Sequence, residues 1–374
     1  MNILISCLSK SWGGMEMFAV NSAQWLSSSN YNVFFLALKD SPIEKALNFI
    51  LKENILLLKK SSYFNISNII KLRKFIVRNN IDLIHTQYSK DLWTISPALL
   101  LINKPIPLVF TKQLGSFVIK KDLLHKLIYK RVDAAIAISS IIKKNLLETT
   151  TIPGEKIHLI HNAIDLEKFN PQLFNKLTIR KNLNIEEDKI VFTHISRLSP
   201  GKGQDIVLKA LNEIKEEVRD SIFLFVGSAQ SDEKNYELSL LKMVDEFNLN
   251  SIVRFLGFRT DIPEILSITD VFLFPSFGEA FGISLVEAMA MGIPSIVCRA
   301  DGILDILIEN ETSLTFERND YKSLANLILK MSNDKNLRES LGKKSLNRAQ
   351  EFSSKNYIQK VSALYLKLLK NKFN

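Results

Sequence analysis

Two glutamates eight residues apart, Glu279 and Glu287, bracket a glycine at position 282. The apolar run just before them, 271–274, reads as a strand, so the first carboxylate stands in the turn that follows it. Gly282 then starts a short helix and lets a ligand approach the backbone closely. The first amides of such a helix have no partners inside it and point outward, which suits an anion. Glu287 lies one turn into that helix, facing the end of the strand. Carboxylates accept from hydroxyls and amides hold phosphates, so the stretch has the makings of a nucleotide-sugar pocket.

A second stretch carries the opposite charge. Ser196-Arg197-Leu198-Ser199-Pro200-Gly201-Lys202-Gly203 follows an apolar run over 190–195 and precedes a helical pattern. A guanidinium grips phosphate oxygens bidentately, and an ammonium adds a compact charge. Near the start, Gly13-Gly14-Met15-Glu16 occupies the turn after the first apolar run, where bare backbone can meet phosphates. Glu16 there either reaches an acceptor or caps the helix.

The Glu-x7-Glu stretch resembles the signature of retaining glycosyltransferases of family 4, which have the GT-B fold. The segment 13–16 is similar to that family's first glycine-rich loop. The segment 160–169, Ile-His-Asn-Ala-Ile-Asp-Leu-Glu-Lys-Phe, is similar to its interdomain block, and 196–203 to its Arg-x4-Lys loop. These blocks occur in the family's order and spacing across nearly the whole chain. The resemblance implies that Arg197 and Lys202 contact the donor diphosphate, Glu279 the transferred sugar and Glu287 the ribose. It places the amides of Ala280, Phe281, Gly282 and Ile283 along sugar and phosphates, and Gly13 and Gly14 against the phosphates. Arg254 lies where the family holds the base through its backbone; the role of its side chain stays open.

Departure of a diphosphate needs its charge neutralised, and many such enzymes use a metal held by an Asp-x-Asp pair. This sequence has no Asp-x-Asp. Fixed cations and helix amides are the remaining solution, so no metal or cofactor is expected beyond the nucleotide-diphosphate sugar itself, with a UDP-sugar as the first choice. One position departs from the family pattern. Gln113 stands where many members carry a histidine that touches sugar or acceptor. Glutamine cannot shuttle a proton near neutrality but can bond a hydroxyl. Histidine is therefore expected to substitute for it. His85 is either a second residue of the acceptor pocket or a structural one.

The elements that must position these groups alternate along the chain. Strand patterns fall over 2–8, 33–38, 55–58, 83–85, 108–111, 134–139 and 157–160, with helical patterns between them. After a linker over 162–177 the alternation restarts at 190–195. Such βαβ succession indicates an α/β fold, GT-B in type: two doubly wound parallel-sheet Rossmann-like domains facing a central cleft. The expected domains are 1–168 on the acceptor side and 169–355 for the nucleotide sugar. The helix 356–374 is expected to cross back to the first.

At 374 residues the chain suits two cores. Its two cysteines, Cys7 and Cys298, lie in apparent core strands and read as free thiols of a reducing cytosol. The apolar run 92–102 is far below the roughly 20 residues a span needs. Through residue 166 there are 21 lysines and arginines against 11 acids, so the whole formal charge of +10 lies in the first half. A nucleic-acid partner is excluded for want of any recognition module. Lys120 and Lys121 flank the loop where this fold receives its acceptor and would contact a phosphate, an acidic sugar or an anionic membrane. The expected protein is a cytoplasmic glycosyltransferase, peripheral on the inner face of the membrane, acting on a glycan or glycolipid of the envelope such as a lipopolysaccharide core. A synthase for a soluble saccharide, or a nucleotide-sugar-binding protein without turnover, are the competing readings.

Overall fold

The computed structural model of the chain describes residues 1–60 and 63–373. It divides into two units, Met1–Ala163 joined by the chain from Ser354 onward, and Ile164–Ser353. The division comes five residues before the expected one, and the last helix, Ser354–Phe373, belongs to the first unit.

The first unit is built on seven parallel strands: β1 (Asn2–Ser6), β2 (Asn32–Leu38), β3 (Ile55–Leu58), β4 (Leu83–Thr86), β5 (Leu108–Lys112), β6 (Ala134–Ala137) and β7 (Ile157–Leu159). Their order is β3-β2-β1-β4-β5-β6-β7. The order reverses between β1 and β4, the switch point where open α/β sheets bind ligands. Central strands covered on both faces read as unbroken apolar runs, as in the Val33–Leu38 part of β2. Strand β1 is shorter than its apolar run because Leu8 N–H turns from the ladder to the carboxylate of Asp91, at 3.1 and 3.2 Å. The run 92–102, read only as apolar, forms the helix Leu92–Leu100 around Pro97.

The last helix completes this unit's core. Tyr357, Val361, Leu364 and Tyr365 recur at helical spacing and are buried with Phe18, Leu83 and Val109. The Tyr357 ring meets Phe18 and Trp25 edge-on, with centroids 5.2 and 6.1 Å apart. Tyr365 reaches His85 on β4, its hydroxyl 2.5 Å from Nδ1, and Nε2 of the same imidazole lies 2.6 Å from the hydroxyl of Thr111 on β5.

The second unit holds six parallel strands: β8 (Ile190–Ile195), β9 (Ser221–Val226), β10 (Val253–Gly257), β11 (Val271–Phe274), β12 (Ser295–Cys298) and β13 (Ser313–Phe316), in the order β10-β9-β8-β11-β12-β13. Its switch point falls between β8 and β11. Stacked rings line one face, Phe192 on Phe223 at 4.7 Å and Phe225 on Phe255 at 5.0 Å. The chain enters and leaves this unit at one place, where Ile164 N–H donates to the Phe352 carbonyl at 2.9 Å. Both cysteines are buried. Among the described residues no helix is long and apolar enough to cross a membrane.

The tie between Tyr365 and His85 generates a stability prediction. Tyr365→Phe keeps the ring but leaves the imidazole Nδ1 buried without its partner, which should cost about 1–3 kcal/mol. Urea unfolding followed by fluorescence should show the loss, and an unchanged midpoint would show that the tie contributes nothing.

Candidate active site

In the second unit two loops leave adjacent strands and touch. The loop after β8 carries Arg197 and Lys202, and that after β11 carries Glu279. Gly203, at φ +79°, passes so close to Pro275 that a Cβ would lie 2.5 Å from the Pro275 carbonyl oxygen. Phe277 N–H donates to the Gly201 carbonyl at 3.0 Å, one loop to the other. The result brings Lys202 Nζ within 2.5 Å of Glu279 Oε1. Arg197 lies 3.2 Å from Glu233 through its Nε. Sequence reasoning did not single out Glu233; it stands just before the helix Lys234–Glu246, with no spacing signal tying it to Arg197.

Beneath this pair the Arg197 loop is held by a chain of hydrogen bonds that starts from a buried histidine. His194 Nδ1–H donates to the Leu273 carbonyl at 3.0 Å, so its Nε2 is the acceptor for the Ser196 hydroxyl at 2.8 Å. Gln204 in turn donates to Ser196 Oγ and to the Arg197 carbonyl, at 3.0 and 2.9 Å. Burial pushes the His194 imidazole down to about 4, against a smaller raise from its bond to Leu273, so it serves as a neutral tether.

The Glu279–Ile283 segment is fixed from the other side. Gly302 N–H donates to the Glu279 carbonyl at 3.1 Å, and a Cβ on Gly302 would stand 2.3 Å from the Ala280 carbonyl oxygen. Gly302 is a further residue the sequence did not reveal. Gly282 precedes the helix Ile283–Ala290 at φ +104°, with Ile303 and Phe274 filling the space where a side chain would go. The first amides of that helix, beginning at Ile283, lack intrahelical partners. The Phe281 side chain is buried against Phe352, rings 5.7 Å apart, so only its backbone can serve a ligand. Burial pushes the Glu287 carboxyl up to about 7, with Lys168 pulling it part of the way back. Arg254 is committed elsewhere: its guanidinium donates to the carbonyls of Leu183 and Asn184, at 2.6 and 3.1 Å. Its side chain therefore anchors the end of the helix Lys176–Asn182 and is not free for a donor.

In the first unit the candidates divide. Gly13 is extended, and a Cβ there would meet only Glu16 Oε2, at 3.5 Å, so the protein's own packing does not demand a glycine. Glu16 neither caps the helix nor faces outward; it is buried and accepts from Ser9 Oγ at 2.5 Å. His85 is wholly buried with both ring nitrogens bonded, and burial pushes it down to about 3, so it is a core residue and not part of an acceptor pocket. Gln113 is also committed. Its amide forms a reciprocal pair with Asn162, at 2.9 and 3.3 Å, and its nitrogen donates to Gln87 at 3.0 Å. The expected bond from Gln113 to a sugar hydroxyl is thus replaced by a buried tie. Lys120 is half-buried and Lys121 exposed. Asp91, unnoticed in the sequence, is buried at the switch point. It accepts from Ser6 Oγ at 2.8 Å and from Leu8 N–H, and burial raises it to about 7 despite those bonds.

The paired loops at the second switch point, on two parallel Rossmann-like sheets, define a glycosyltransferase of the GT-B fold. Residues 175–348 match the Glycosyl transferases group 1 family, and residues 12–168 match Glycosyltransferase Family 4. Between them the two matches cover most of the chain, which is a glycosyltransferase. It is 28% identical to the UDP-Gal:alpha-D-GlcNAc-diphosphoundecaprenol alpha-1,3-galactosyltransferase of Escherichia coli, over 96% of this chain and 95% of that one. A glycosyltransferase of Rickettsia africae superposes with a TM-score of 0.88 at 22% identity, covering 99% of both chains. Anabaena HepE, in complex with UDP and glucose, superposes with a TM-score of 0.81 at 21% identity, over 97% of this chain and 98% of that one.

Two outcomes follow from the geometry. Histidine at 113 cannot rebuild the reciprocal amide pair, so Gln113→His should lower the melting temperature; a variant as stable as wild type would mean the pair is dispensable. Glu287 binds protons more tightly folded than unfolded, so its contribution is most favourable below its unfolded pKa. That contribution falls as pH rises from about 4.5 to about 7. Glu287→Gln should therefore gain stability relative to wild type across that window, by up to about 3 kcal/mol, and level off above it. Denaturation at a series of pH values reads the difference, and a flat difference would sink the assignment.

Proposed function

We propose that this chain moves a sugar, with retention and without a metal, from a nucleotide-diphosphate sugar to a hydroxyl of a lipid-linked or lipopolysaccharide-type envelope acceptor. A UDP-sugar is the donor favoured, in keeping with the Escherichia coli relative and with HepE. The observation that carries the reading is the Lys202–Glu279 pair, 2.5 Å apart beside the helix that Gly282 precedes. Each cation of the site already faces an acid, Lys202 with Glu279 and Arg197 with Glu233. A diphosphate arriving there exchanges for the carboxylates, and Glu279 is released to accept from hydroxyls of the transferred sugar.

In this reading the bond from the anomeric carbon to the diphosphate breaks as negative charge grows on the departing oxygen. Arg197, Lys202 and the first amides of the helix Ile283–Ala290 meet that charge in fixed positions, with no reorganisation needed at the moment of reaction. The acceptor hydroxyl adds to the face the diphosphate leaves, and its proton passes to the leaving phosphate. No side chain is required as a base, which fits a Gln113 that is fully engaged. Glu287, close to neutral when the site is empty, accepts from the ribose hydroxyls. Gly13 and Gly14 leave bare backbone for a ligand.

Turnover assays with a panel of nucleotide sugars test this. Arg197→Ala and Lys202→Ala should each lower turnover by about 10² or more while leaving the fold intact. EDTA should leave initial rates unchanged. Activity within a few-fold of wild type in both variants, or a strict need for added Mg²⁺ or Mn²⁺, would refute the proposed handling of the diphosphate.

A further inference from the structure

A third element of the second unit, the segment that follows β9, also grips the Arg197 loop. Gly227, the residue after that strand, is at φ +138° and leaves no room for a Cβ beside the Ser196 carbonyl. Leu198 N–H donates to the Ser228 carbonyl at 3.2 Å. The segment then makes one turn, Ser231–Glu233, and enters the helix Lys234–Glu246. Two side chains three residues apart reach back from there. Glu233 meets the Arg197 guanidinium at 3.2 Å, and Tyr236 brings its hydroxyl 3.3 Å from Gln204 Oε1 and 3.1 Å from Asp205 Oδ1.

Gln204 carries the second grip to the main chain of Arg197. It is wholly buried, and its amide has one workable orientation. Nε2 donates to Ser196 Oγ and to the Arg197 carbonyl, so Oε1 faces the Tyr236 hydroxyl. Turned over, the amide would set its oxygen against the Arg197 carbonyl oxygen, acceptor on acceptor. Burial first, and the charge of Asp205 second, push the Tyr236 hydroxyl up, so it keeps the proton that faces Gln204 and Asp205. The donors then all point one way, from Tyr236 through Gln204, Ser196 and His194 to the Leu273 carbonyl. Leu273 lies on β11, the strand that leads to Glu279.

We propose that Tyr236 is a positioning residue for the departing diphosphate: its hydroxyl sets the Gln204 amide, and the amide sets the Arg197 main chain. The proposal rests on the reading of Arg197 as a diphosphate cation. The two grips of this helix start differ in kind. Glu233 holds the side chain and lets go when a diphosphate arrives, whereas the path from Tyr236 holds the backbone throughout. Arg197 thereby changes partner without moving its loop, and a donor already in place is what stabilises growing charge.

Tyr236→Phe removes one oxygen and keeps the ring. With the UDP-sugar that the wild type turns over fastest, kcat should fall about ten-fold, the order expected when a reacting group is displaced by a fraction of an ångström. KM for that donor, and Kd for UDP measured by calorimetry, should change little, because both cations remain. Gln204→Met should lower kcat at least as far, and adding Tyr236→Phe to it should change nothing more. In an Arg197→Ala background Tyr236→Phe should likewise lose its effect, since residues acting on one path are not additive. Glu233→Gln should act in the opposite sense and tighten UDP by up to about five-fold, the worth of an exposed ion pair. Wild-type kcat in Tyr236→Phe, or a loss that adds in full to that of Arg197→Ala, would overturn the positioning role. A change confined to the melting temperature would show a hydroxyl that supports the fold alone. UDP bound no more tightly by Glu233→Gln would overturn the contrast between the two grips. Near wild-type turnover in Arg197→Ala by itself would sink the diphosphate reading, an outcome read without any change at Tyr236.

Discussion

Gly203 and the Pro275 carbonyl stand too close for any side chain between them, and the chemistry of the second unit depends on that approach. Parallel strands β8 and β11 bring their carboxyl ends side by side, but strand adjacency alone would leave the following loops several ångströms apart. Removing one Cβ closes the gap and sets a cation of one loop against a carboxylate of the other. Gly302 repeats the device on the far side, where it lets its own backbone press on the Ala280 carbonyl. Glu279 is thus positioned by main-chain contacts from both flanks, which vary less than side-chain contacts would. The hydrogen-bonded His194–Ser196–Gln204 chain keeps the Arg197 loop equally fixed.

The first unit solves a different problem. Its switch point is lined by buried polar groups that hold one another: Asp91 with Ser6 and Leu8, Glu16 with Ser9, Gln113 with Asn162 and Gln87. Such networks are costly when partly satisfied and specific when complete. Here the side chains that looked able to serve a ligand form the floor of the switch point.

Much of the architecture was legible. Strands covered on both faces announce themselves as apolar runs, and the glycines with their neighbouring charges marked the loops after β8 and β11. What failed was the assignment of polar side chains in the first unit. His85 and Tyr365 are 280 residues apart, and Gln113 meets Asn162 across 49, so no local pattern distinguishes a tether from a ligand group. Arg254 misled for the same reason, because its carbonyl partners lie about 70 residues away. Gly302 carries no flag either, as it follows an ordinary strand and its need for a bare Cα comes from a backbone more than 20 residues earlier. The strand 2–8 was drawn too long because the pull of Asp91 on Leu8 N–H leaves no trace in hydropathy.

The last helix gives the two units unequal histories during synthesis. The second unit is one continuous stretch, complete once Ser353 has left the ribosome. The first has most of its sheet long before that, yet its core lacks Tyr357, Val361 and Tyr365 until the stretch after Ser353 emerges. Domains ordinarily fold in the order they are made. In this chain the unit begun first is the one finished last, and until then His85 has a vacant partner and the face around Phe18 lies bare. Quality control that senses exposed apolar surface would thus read the presence of the helix Ser354–Phe373 through the condition of the first unit.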